Sequence, residues 1–166
     1  MRSLELRWGL IIGSVNMGWL FLSYYLGMHD QGLGMIQVMT LVSVLLSVVG
    51  YLLGLRDITF RFPDTQYKEG LRSGAIIAGI VAVFAALSQV IYFKLINPGW
   101  TEQMVELTRN FYLESGLPET EAEQFAEGAK QTFGLTSYMI QSALGAIIIG
   151  MISTAIILMF LRKRRA

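Results

Sequence analysis

Residues 97–135 read NPGWTEQMVELTRNFYLESGLPETEAEQFAEGAKQTFGL, and this stretch decides how the rest of the chain is arranged. It holds seven of the twelve acidic residues and lies between two long apolar runs. The turn at residues 29–33 shows that a few residues are enough to connect two such runs. A polar segment of this length therefore predicts structure of its own, outside the apolar part of the protein.

The first half of the stretch has the pattern of an amphipathic helix. Trp100, Met104, Leu107 and Phe111 follow one another at steps of four, three and four residues, which places them on one stripe of a helix. Ser115-Gly116 supplies a residue able to enter the left-handed region, and a proline follows. The pattern predicts a helix that ends at this point.

A second amphipathic helix is predicted directly afterwards. Thr120-Glu121-Ala122-Glu123 fits a capping box. The apolar stripe consists of Ala122, Phe125, Ala126, Ala129 and Phe133. Two facing stripes indicate a helical hairpin over residues 97–135. Its candidate interaction surface rests on the membrane interface, on the end of a helix bundle or on a partner, and consists of Trp100, Met104, Leu107, Phe111, Phe125 and Phe133.

The composition places the chain in a lipid bilayer. Hydrophobic residues make up 54% of it and charged residues 15%, which is too apolar for an ordinary soluble domain of 166 residues. Four runs are long enough to cross about 30 Å of hydrocarbon at roughly 1.5 Å per residue. They cover residues 8–28, 34–55, 73–96 and 136–161. The expected fold is a single all-α domain over residues 1–166, a four-helix transmembrane bundle with an extracytoplasmic amphipathic hairpin.

Basic residues indicate the orientation. Ten of the thirteen lie before the first run, between the second and third, or after the fourth, and Lys94, Arg109 and Lys130 lie on the opposite side. The positive-inside rule then places both termini in the cytoplasm of a bacterial cell and the acidic hairpin outside the inner membrane. The first run is expected to be a retained signal anchor. Residues 65–72 are expected to lead helically into the third run, behind a cap at Pro63-Asp64.

Polar residues within the runs form a candidate layer of Asn16, Gln37, Gln89 and Gln141, with Ser47 at the depth of Asn16. Such a layer either lines a ligand pocket or provides hydrogen bonds between helices. None of the four runs holds a carboxylate, which argues against a proton- or cation-coupled carrier. Glycines recur at four-residue steps, as at Gly9 and Gly13, and permit close approach of helices within one chain or between two copies.

Several classes of chemistry lack their residues. The chain has one histidine and no cysteine, so thiol chemistry and the usual zinc sites are excluded. No phosphate-binding, dinucleotide-binding or nucleophile motif is present. We therefore expect no enzyme activity, no catalytic residues, no metal and no cofactor. The net charge of +1 gives no reason to expect a nucleic-acid partner.

Short motifs in order along the chain resemble a bacterial membrane family, the domain-of-unknown-function family 4199. They are Gly9-Leu10-Ile11-Ile12-Gly13, Gly50-Tyr51-Leu52-Leu53-Gly54, Tyr67-Lys68-Glu69-Gly70-Leu71 with Gly74, and Asn97-Pro98. The resemblance covers nearly the whole chain. It implies a four-span inner-membrane protein and supplies no activity or site residues.

Two functional hypotheses remain from the sequence. The first is a non-enzymatic scaffold or accessory protein whose hairpin binds a membrane or envelope protein. The alternative is a small, oligomeric solute carrier or channel that uses the intramembrane polar layer. Co-purification of a partner favours the first, whereas protein-dependent flux lost in Gln89→Leu favours the second.

Overall fold

The computed structural model describes residues 2–163 and is helical throughout, with no strand among those residues. A single turn of 3₁₀ helix, Met28–Asp30, connects the first two of its six α-helices, and a π-helical turn, Tyr92–Ile96, extends the third. The α-helices are α1 Arg2–Tyr25, α2 Leu33–Arg61, α3 Tyr67–Ile91, α4 Trp100–Glu114, α5 Glu119–Thr132 and α6 Leu135–Lys163.

The four long helices α1, α2, α3 and α6 pack side by side. α1 lies against α2 and α3, and α6 lies against α3 and α2, so each long helix has two principal neighbours. We call the end of this group that carries the Met28–Asp30 turn the turn end. α4 and α5 pack against each other at that end.

Three helices are long and apolar enough to cross a membrane, whereas the sequence predicts four spans. They are Gly34–Arg61, Tyr67–Ile96 and Leu135–Leu161. α1 has the length, with 24 residues, but Trp8, Asn16, Trp19 and two terminal tyrosines lower its mean hydropathy. α1 begins at Arg2 rather than near residue 8, and α2 continues to Arg61 rather than residue 55.

The rows of glycine serve contacts within this chain. A Cβ atom at Gly9 would lie 2.8 Å from Ile80 of α3, and one at Gly50 would lie 2.5 Å from Ile12 of α1. At Gly74 there is no room for a Cβ beside Thr154 of α6. These close approaches confirm the intramolecular interpretation of the small-residue rows.

Side chains from all four long helices fill the half of the group away from the turn end. The buried cluster contains Ile12 of α1, Tyr51, Leu55 and Ile58 of α2, Ile77, Ala78 and Val81 of α3, and Ile157 and Leu158 of α6. Dense packing in this half fixes the relative positions of the four helices.

The ends of α3 and α4 follow the sequence closely. α3 begins at Tyr67, as the predicted helical lead over residues 65–72 requires, but its cap is Gln66 rather than Asp64. Glu69 accepts a hydrogen bond of 2.9 Å from the Gln66 backbone N–H. α4 ends at Glu114 with Ser115 as its C-cap, and Gly116 follows with a φ of 85° in the left-handed region, as predicted.

The predicted capping box of α5 is wrong, although the helix does begin after Pro118 as predicted. Its N-cap is Pro118, and the helix begins at Glu119, so Thr120 lies inside the first turn and makes no capping box. The reason is that Pro118 has an extended ψ of 147° and already supplies the change of direction from which the helix begins. Glu119 and Glu121 in the first turn still favour the positive end of the helix dipole.

Candidate functional site

A cavity of about 510 Å³ lies between the four long helices, next to the turn end. Its volume falls in the range of small-molecule pockets. On α2 it is lined by Ile36, Met39, Thr40, Ser43, Val44 and Ser47, which recur at helical spacing and therefore form one face. α1, α3 and α6 contribute similar faces, and Trp100 of α4 reaches it from the turn end.

The structure brings three of the four predicted polar-layer residues to this cavity. Asn16, Gln89 and Gln141 line it, from α1, α3 and α6 respectively. Gln37 is exposed on α2 and lies outside the lining. It follows the lining residue Ile36 by about 100° around the helix, at the edge of the face that lines the cavity.

The three side-chain amides differ in the number of hydrogen bonds that they make with the protein. Asn16 Nδ2 donates to Ser47 Oγ at 3.1 Å and to the Ile12 carbonyl at 3.0 Å, so it connects α1 to α2. Gln141 Nε2 donates to Ser137 Oγ at 2.7 Å. The side-chain amide of Gln89 makes no hydrogen bond with the part of the chain that the structure describes. Its amide is therefore the one with the most capacity for a bound molecule.

The lining contains no aspartate, glutamate, lysine or arginine among residues 2–163. An ion placed there would lose its hydration without gaining an opposite charge, which costs several kcal/mol. Hydroxyl groups of serine and threonine and the three amides can instead satisfy uncharged donors and acceptors. The walls therefore offer hydrogen-bonding groups suited to uncharged molecules rather than to ions.

Aromatic side chains close the turn end of the cavity around His29. Its ring stacks on Tyr92 with 5.1 Å between centroids and meets Trp100 edge-on at 5.2 Å. Tyr24 packs on the third side at 5.8 Å. Burial lowers the pKa of His29 below its ordinary value, although a hydrogen bond with the Ser23 backbone and the charge of Asp30 act in the opposite direction.

Two buried polar atoms in this aromatic cluster have no partner. His29 is 3% exposed and its Nδ1 makes no hydrogen bond, while Trp100 is 2% exposed and the same is true of its Nε1. Both residues line the cavity. Buried polar groups are nearly always hydrogen-bonded, and Tyr138, whose ring lies edge-on to Trp100 at 6.2 Å between centroids, is near enough to take part.

A network of side-chain amides fastens α4 to the turn end. Gln103 Nε2 donates to Asp30 Oδ1 at 2.8 Å, and Asn97 Nδ2 donates to Gln103 Oε1 at 3.3 Å. Asn97 also donates to the Tyr92 hydroxyl at 3.2 Å. These contacts join the short turn after α1, the π-helical turn after α3 and the beginning of α4. They hold Trp100 over the cavity.

The predicted interaction surface divides into two parts. Trp100 and Met104 are fully buried against the turn end, and Leu107 and Phe133 are partly buried in the same cluster. Phe111 and Phe125 remain 52% and 47% exposed. Burial of Trp100, Met104, Leu107 and Phe133 leaves two of the six residues accessible to another molecule.

A contact between α4 and α5 explains where these two phenylalanines lie. The Tyr112 ring stacks on Phe125 with 4.2 Å between centroids. Arg109 forms ion pairs with Glu119 at 2.7 Å and Glu123 at 2.9 Å. The two helices are thus packed face to face, and Phe111 projects from the edge of their interface.

Sequence reasoning missed a buried carboxylate. Glu5 is 3% exposed and accepts a hydrogen bond of 2.5 Å from Ser73 Oγ of α3, while its Oε2 has no partner. It precedes the first predicted membrane run, which begins at residue 8, and Arg2 and Arg7 lie on either side of it. Glu5, Gly9 and Ile12 follow one another at steps of four and three residues, so they share one face of α1. This spacing is the signal that could have predicted the burial of Glu5.

The described residues hold no group of three or more histidine, cysteine, aspartate or glutamate side chains able to bind a metal. The basic C-terminal residues Arg164 and Arg165, expected to contact anionic lipid, lie outside the described range. Among residues 2–163, the cavity with its aromatic end is therefore the best candidate for a binding site.

Comparison with known proteins gives one match. A family model described as a protein of unknown function (DUF4199) matches residues 7–163, which confirms the family predicted from the short motifs. No curated protein and no solved structure matches the chain.

Proposed function

The chain belongs to the family of proteins of unknown function DUF4199, and we propose that it is a multi-pass membrane protein that binds a small, uncharged molecule between its long helices, as a solute carrier does. The observation that carries the proposal is the unsatisfied amide of Gln89 in the wall of a 510 Å³ cavity without charged side chains. The single histidine and the lack of cysteine favour a binding role over an enzymatic one.

The proposal includes a fourth span, formed by α1. The exposed face of this helix carries Leu6, Leu10, Ile11, Val15 and Leu22, which are 38–52% exposed. An apolar face of this extent in water marks a surface that is covered by something else. Because α1 packs alongside α2 and α3, the bilayer that surrounds those helices would cover it as well.

We place both termini in the cytoplasm and the turn end, with α4 and α5, outside the cell membrane. Support comes from the distribution of lysine and arginine, ten of thirteen of which lie on the side of the termini. In this orientation the cavity lies in the outer half of the membrane. Trp100 and the aromatic cluster would separate it from the external water.

Binding would use hydrogen bonds and apolar contact together. Gln89 offers two donors and an acceptor, and the lining hydroxyls of Ser43, Ser88 and Ser142 offer more. Met17, Leu20 and Ile149 cover the apolar part of a ligand. A molecule that is wholly polar would lose more hydration than these groups replace, so a partly apolar ligand fits best.

Filling the cavity tests the proposal. A Cβ at Gly145 would meet no atom within 4 Å, and this glycine lines the cavity, so Gly145→Leu adds a side chain to the cavity wall with a Cβ that contacts no neighbour. Gly79 on α3 also has no neighbour within 4 Å but is exposed and outside the lining, which makes Gly79→Leu the matched control.

Each protein is extracted in mild detergent and examined by native mass spectrometry. We expect a small molecule bound to the wild type and to Gly79→Leu, and its loss from Gly145→Leu. Wild-type protein that carries no small molecule, or a molecule that Gly145→Leu retains, contradicts the proposal.

The scaffold hypothesis is kept as a second candidate because Phe111 and Phe125 remain exposed. Phe125, Phe133 and Tyr112 also border a groove of about 330 Å³ between α4 and α5. A protein partner in the envelope, or a second copy of the chain, would cover this surface. A pull-down with the double variant Phe111→Ser and Phe125→Ser tests it, because a partner that uses the surface is lost from this variant and kept by the wild type.

A further inference from the structure

Contacts of α1 close two sides of the cavity. Between α1 and α2, Trp19 Nε1 donates to the Met39 carbonyl oxygen at 3.0 Å. Between α1 and α3, the Phe84 ring packs on Gly13 so closely that a Cβ at this glycine would lie 2.6 Å from the ring. Because Trp19, Met39 and Gly13 line the cavity, both interfaces are packed at its level.

The interface between α3 and α6 is closed as well. At the turn end, the rings of Phe93 and Tyr138 lie 5.4 Å apart between centroids. Further along the two helices, Thr154 leaves no room for a Cβ at Gly74. A ligand can therefore cross these three sides only if packed helices separate.

The fourth side, between α2 and α6, has an opening, which we call the window. Thr40 of α2 and Gln141 of α6 line the cavity and are also exposed, so the cavity reaches the surface between these two helices. Thr40 Oγ1 donates to a carbonyl of its own helix at 2.9 Å, and Gln141 Nε2 donates to Ser137 Oγ at 2.7 Å. Among the described residues, no hydrogen bond joins residues 40–47 of α2 to residues 141–146 of α6.

Contacts at both ends set the height of the window. Toward the turn end, Ile36 and Tyr138 pack against the cluster that contains Trp100. In the other half of the helices, the Tyr51 hydroxyl of α2 leaves no room for a Cβ at Gly150 of α6. Residues 40–47 lie between these contacts and cover about 10 Å of α2 at roughly 1.5 Å per residue. The window is therefore about two helical turns high.

Apolar side chains surround the window on the outer surface. Leu41 and Leu45 of α2 are 58% and 55% exposed. Ile140 and Leu144 of α6 are 56% and 53% exposed. Residues 34–55 and 135–161 contain no charged residue. In the proposed arrangement the window therefore faces the hydrocarbon of the bilayer.

The turn end of the cavity is covered. Trp100 is 2% exposed and Tyr92 is 1% exposed. The hydrogen bond of 2.8 Å from Gln103 to Asp30 holds α4 over them. A solute from the external water would have to displace α4, whereas a molecule dissolved in the bilayer meets the window directly.

We infer that the cavity receives its ligand from the bilayer, through the window between α2 and α6, and that this ligand is a neutral lipid with an apolar chain and an uncharged polar group. This inference rests on the proposed function and adds the class of the ligand and its route. Among residues 2–163 the walls hold no aspartate, glutamate, lysine or arginine, so a charged head group would find no counter-charge there. The Gln89 amide is available to an uncharged polar group.

Photolabelling in a membrane tests the route. A diacylglycerol with a diazirine on one acyl chain is incorporated with the full-length protein into liposomes, and after illumination the labelled residues are identified by mass spectrometry. α3 provides its own reference, because Ser88 lines the cavity and is 4% exposed, whereas Val83 is 59% exposed and outside the lining. We expect label at both residues. Label at Val83 alone overturns the inference.

A tryptophan on the rim of the window should block the route. In Thr40→Trp we expect the label at Ser88 to be lost and the label at Val83 to be kept. Val38→Trp is the matched control, because Val38 belongs to the same helix, is 46% exposed and lies outside the lining, and this variant should keep both labels.

The opposite rim gives an independent variant. Gln141→Trp should also lose the label at Ser88, and its control Ile140→Trp, on the outer surface beside it, should keep that label. Label at Ser88 that persists in both Thr40→Trp and Gln141→Trp overturns the assignment of the window.

A water-soluble probe tests the alternative route. A glucoside that carries a diazirine, added to the aqueous phase, should label the exposed Phe111 of α4 and leave Ser88 unlabelled. Label at Ser88 that is as strong from the glucoside as from the diacylglycerol overturns the inference, because the cavity would then be open to water.

Failure of this inference can be separated from failure of the proposed function. If the diacylglycerol leaves Ser88 unlabelled but Gly145→Leu still displaces a co-purified molecule, the cavity binds a ligand that enters by another route, and the inference alone is wrong. If Gly145→Leu displaces nothing and Ser88 remains unlabelled, both are wrong.

Discussion

The imidazole ring of His29 stacks on the phenol ring of Tyr92 with 5.1 Å between their centroids, although 62 residues separate them in the chain. His29 belongs to the turn after α1, and Tyr92 begins the π-helical turn after α3. The Trp100 ring of α4 contacts both of these rings edge-on, at 5.2 Å from His29 and 5.8 Å from Tyr92 between centroids. Three segments that are distant in sequence therefore meet at one titratable ring, which links the packing of the turn end to pH.

The first prediction concerns that link. The pKa of His29 is lowered in the folded protein, so between this pKa and about 6.5 the unfolded chain binds more protons than the folded chain. The contribution of His29 to stability is therefore complete above about pH 6.5 and is lost as the pH falls.

Melting temperatures in detergent at about pH 5 and about pH 7.5 measure this effect. We expect a lower melting temperature at the acidic pH and a smaller difference in His29→Phe, which keeps a ring but does not titrate. Tyr24, Tyr92 and Asp30 also face or adjoin the ring, and the variant leaves them in place. If the melting temperatures of the wild type and of His29→Phe depend equally on pH, groups other than His29 cause the effect.

The second prediction concerns the buried contact between α1 and α3. Ser73→Ala removes the hydrogen bond to Glu5 and leaves a buried carboxyl group without a partner. We expect a loss of about 1–3 kcal/mol in the free energy of unfolding. Ser142→Ala is the control, since the Ser142 hydroxyl bonds to the Met139 carbonyl of its own helix. Chemical denaturation measures both variants. If the two substitutions lower the free energy of unfolding equally, the hydrogen bond between Ser73 and Glu5 does not contribute to stability.

The third prediction compares two glycines of α3. Gly74→Ala places a Cβ where Thr154 of α6 leaves no room, so it should destabilise the protein by about 1–3 kcal/mol. Gly79→Ala meets no atom within 4 Å and should instead stabilise the helix by up to about 1 kcal/mol. Thermal unfolding of both variants in the same detergent measures the two changes in stability. A tolerated Gly74→Ala would mean that α3 and α6 are less closely packed than described.

The fourth prediction is the orientation in the membrane. Fusing a reporter that is active outside the cytoplasm to the C-terminus should give no activity, and a reporter active in the cytoplasm should give full activity. The same reporters inserted at Gly116, in the exposed turn between α4 and α5, should give the opposite result. Activity of the C-terminal external reporter would reverse the proposed topology.

Much of the helical architecture could be predicted from the sequence because it depends on local patterns. The stripe that begins at Trp100 and the stop at Gly116 are encoded within a few residues, and α4 follows both. Asn16 was expected at the depth of Ser47, and the two side chains are hydrogen-bonded at 3.1 Å. Depth in a bundle follows from counting residues, so the polar layer could be predicted apart from Gln37.

The aromatic end of the cavity could not be predicted, because it depends on how α4 folds back on the long helices. His29 occurs in a short polar turn, and Tyr92 and Tyr138 stand near the ends of apolar runs, where tyrosine is common for other reasons. Trp100 was predicted to contact either a partner or the bundle end. Tertiary packing over more than 70 residues decides in favour of the bundle end, and no local pattern contains that information.

The most direct test of the account is a density map of the protein in a lipid nanodisc, at a resolution that shows side chains. The account predicts four helices across the bilayer and density for a non-protein molecule in the cavity, in contact with the Gln89 amide. A closed cavity in which Gln89 instead bonds to a neighbouring helix, with no additional density between α1, α2, α3 and α6, would contradict it.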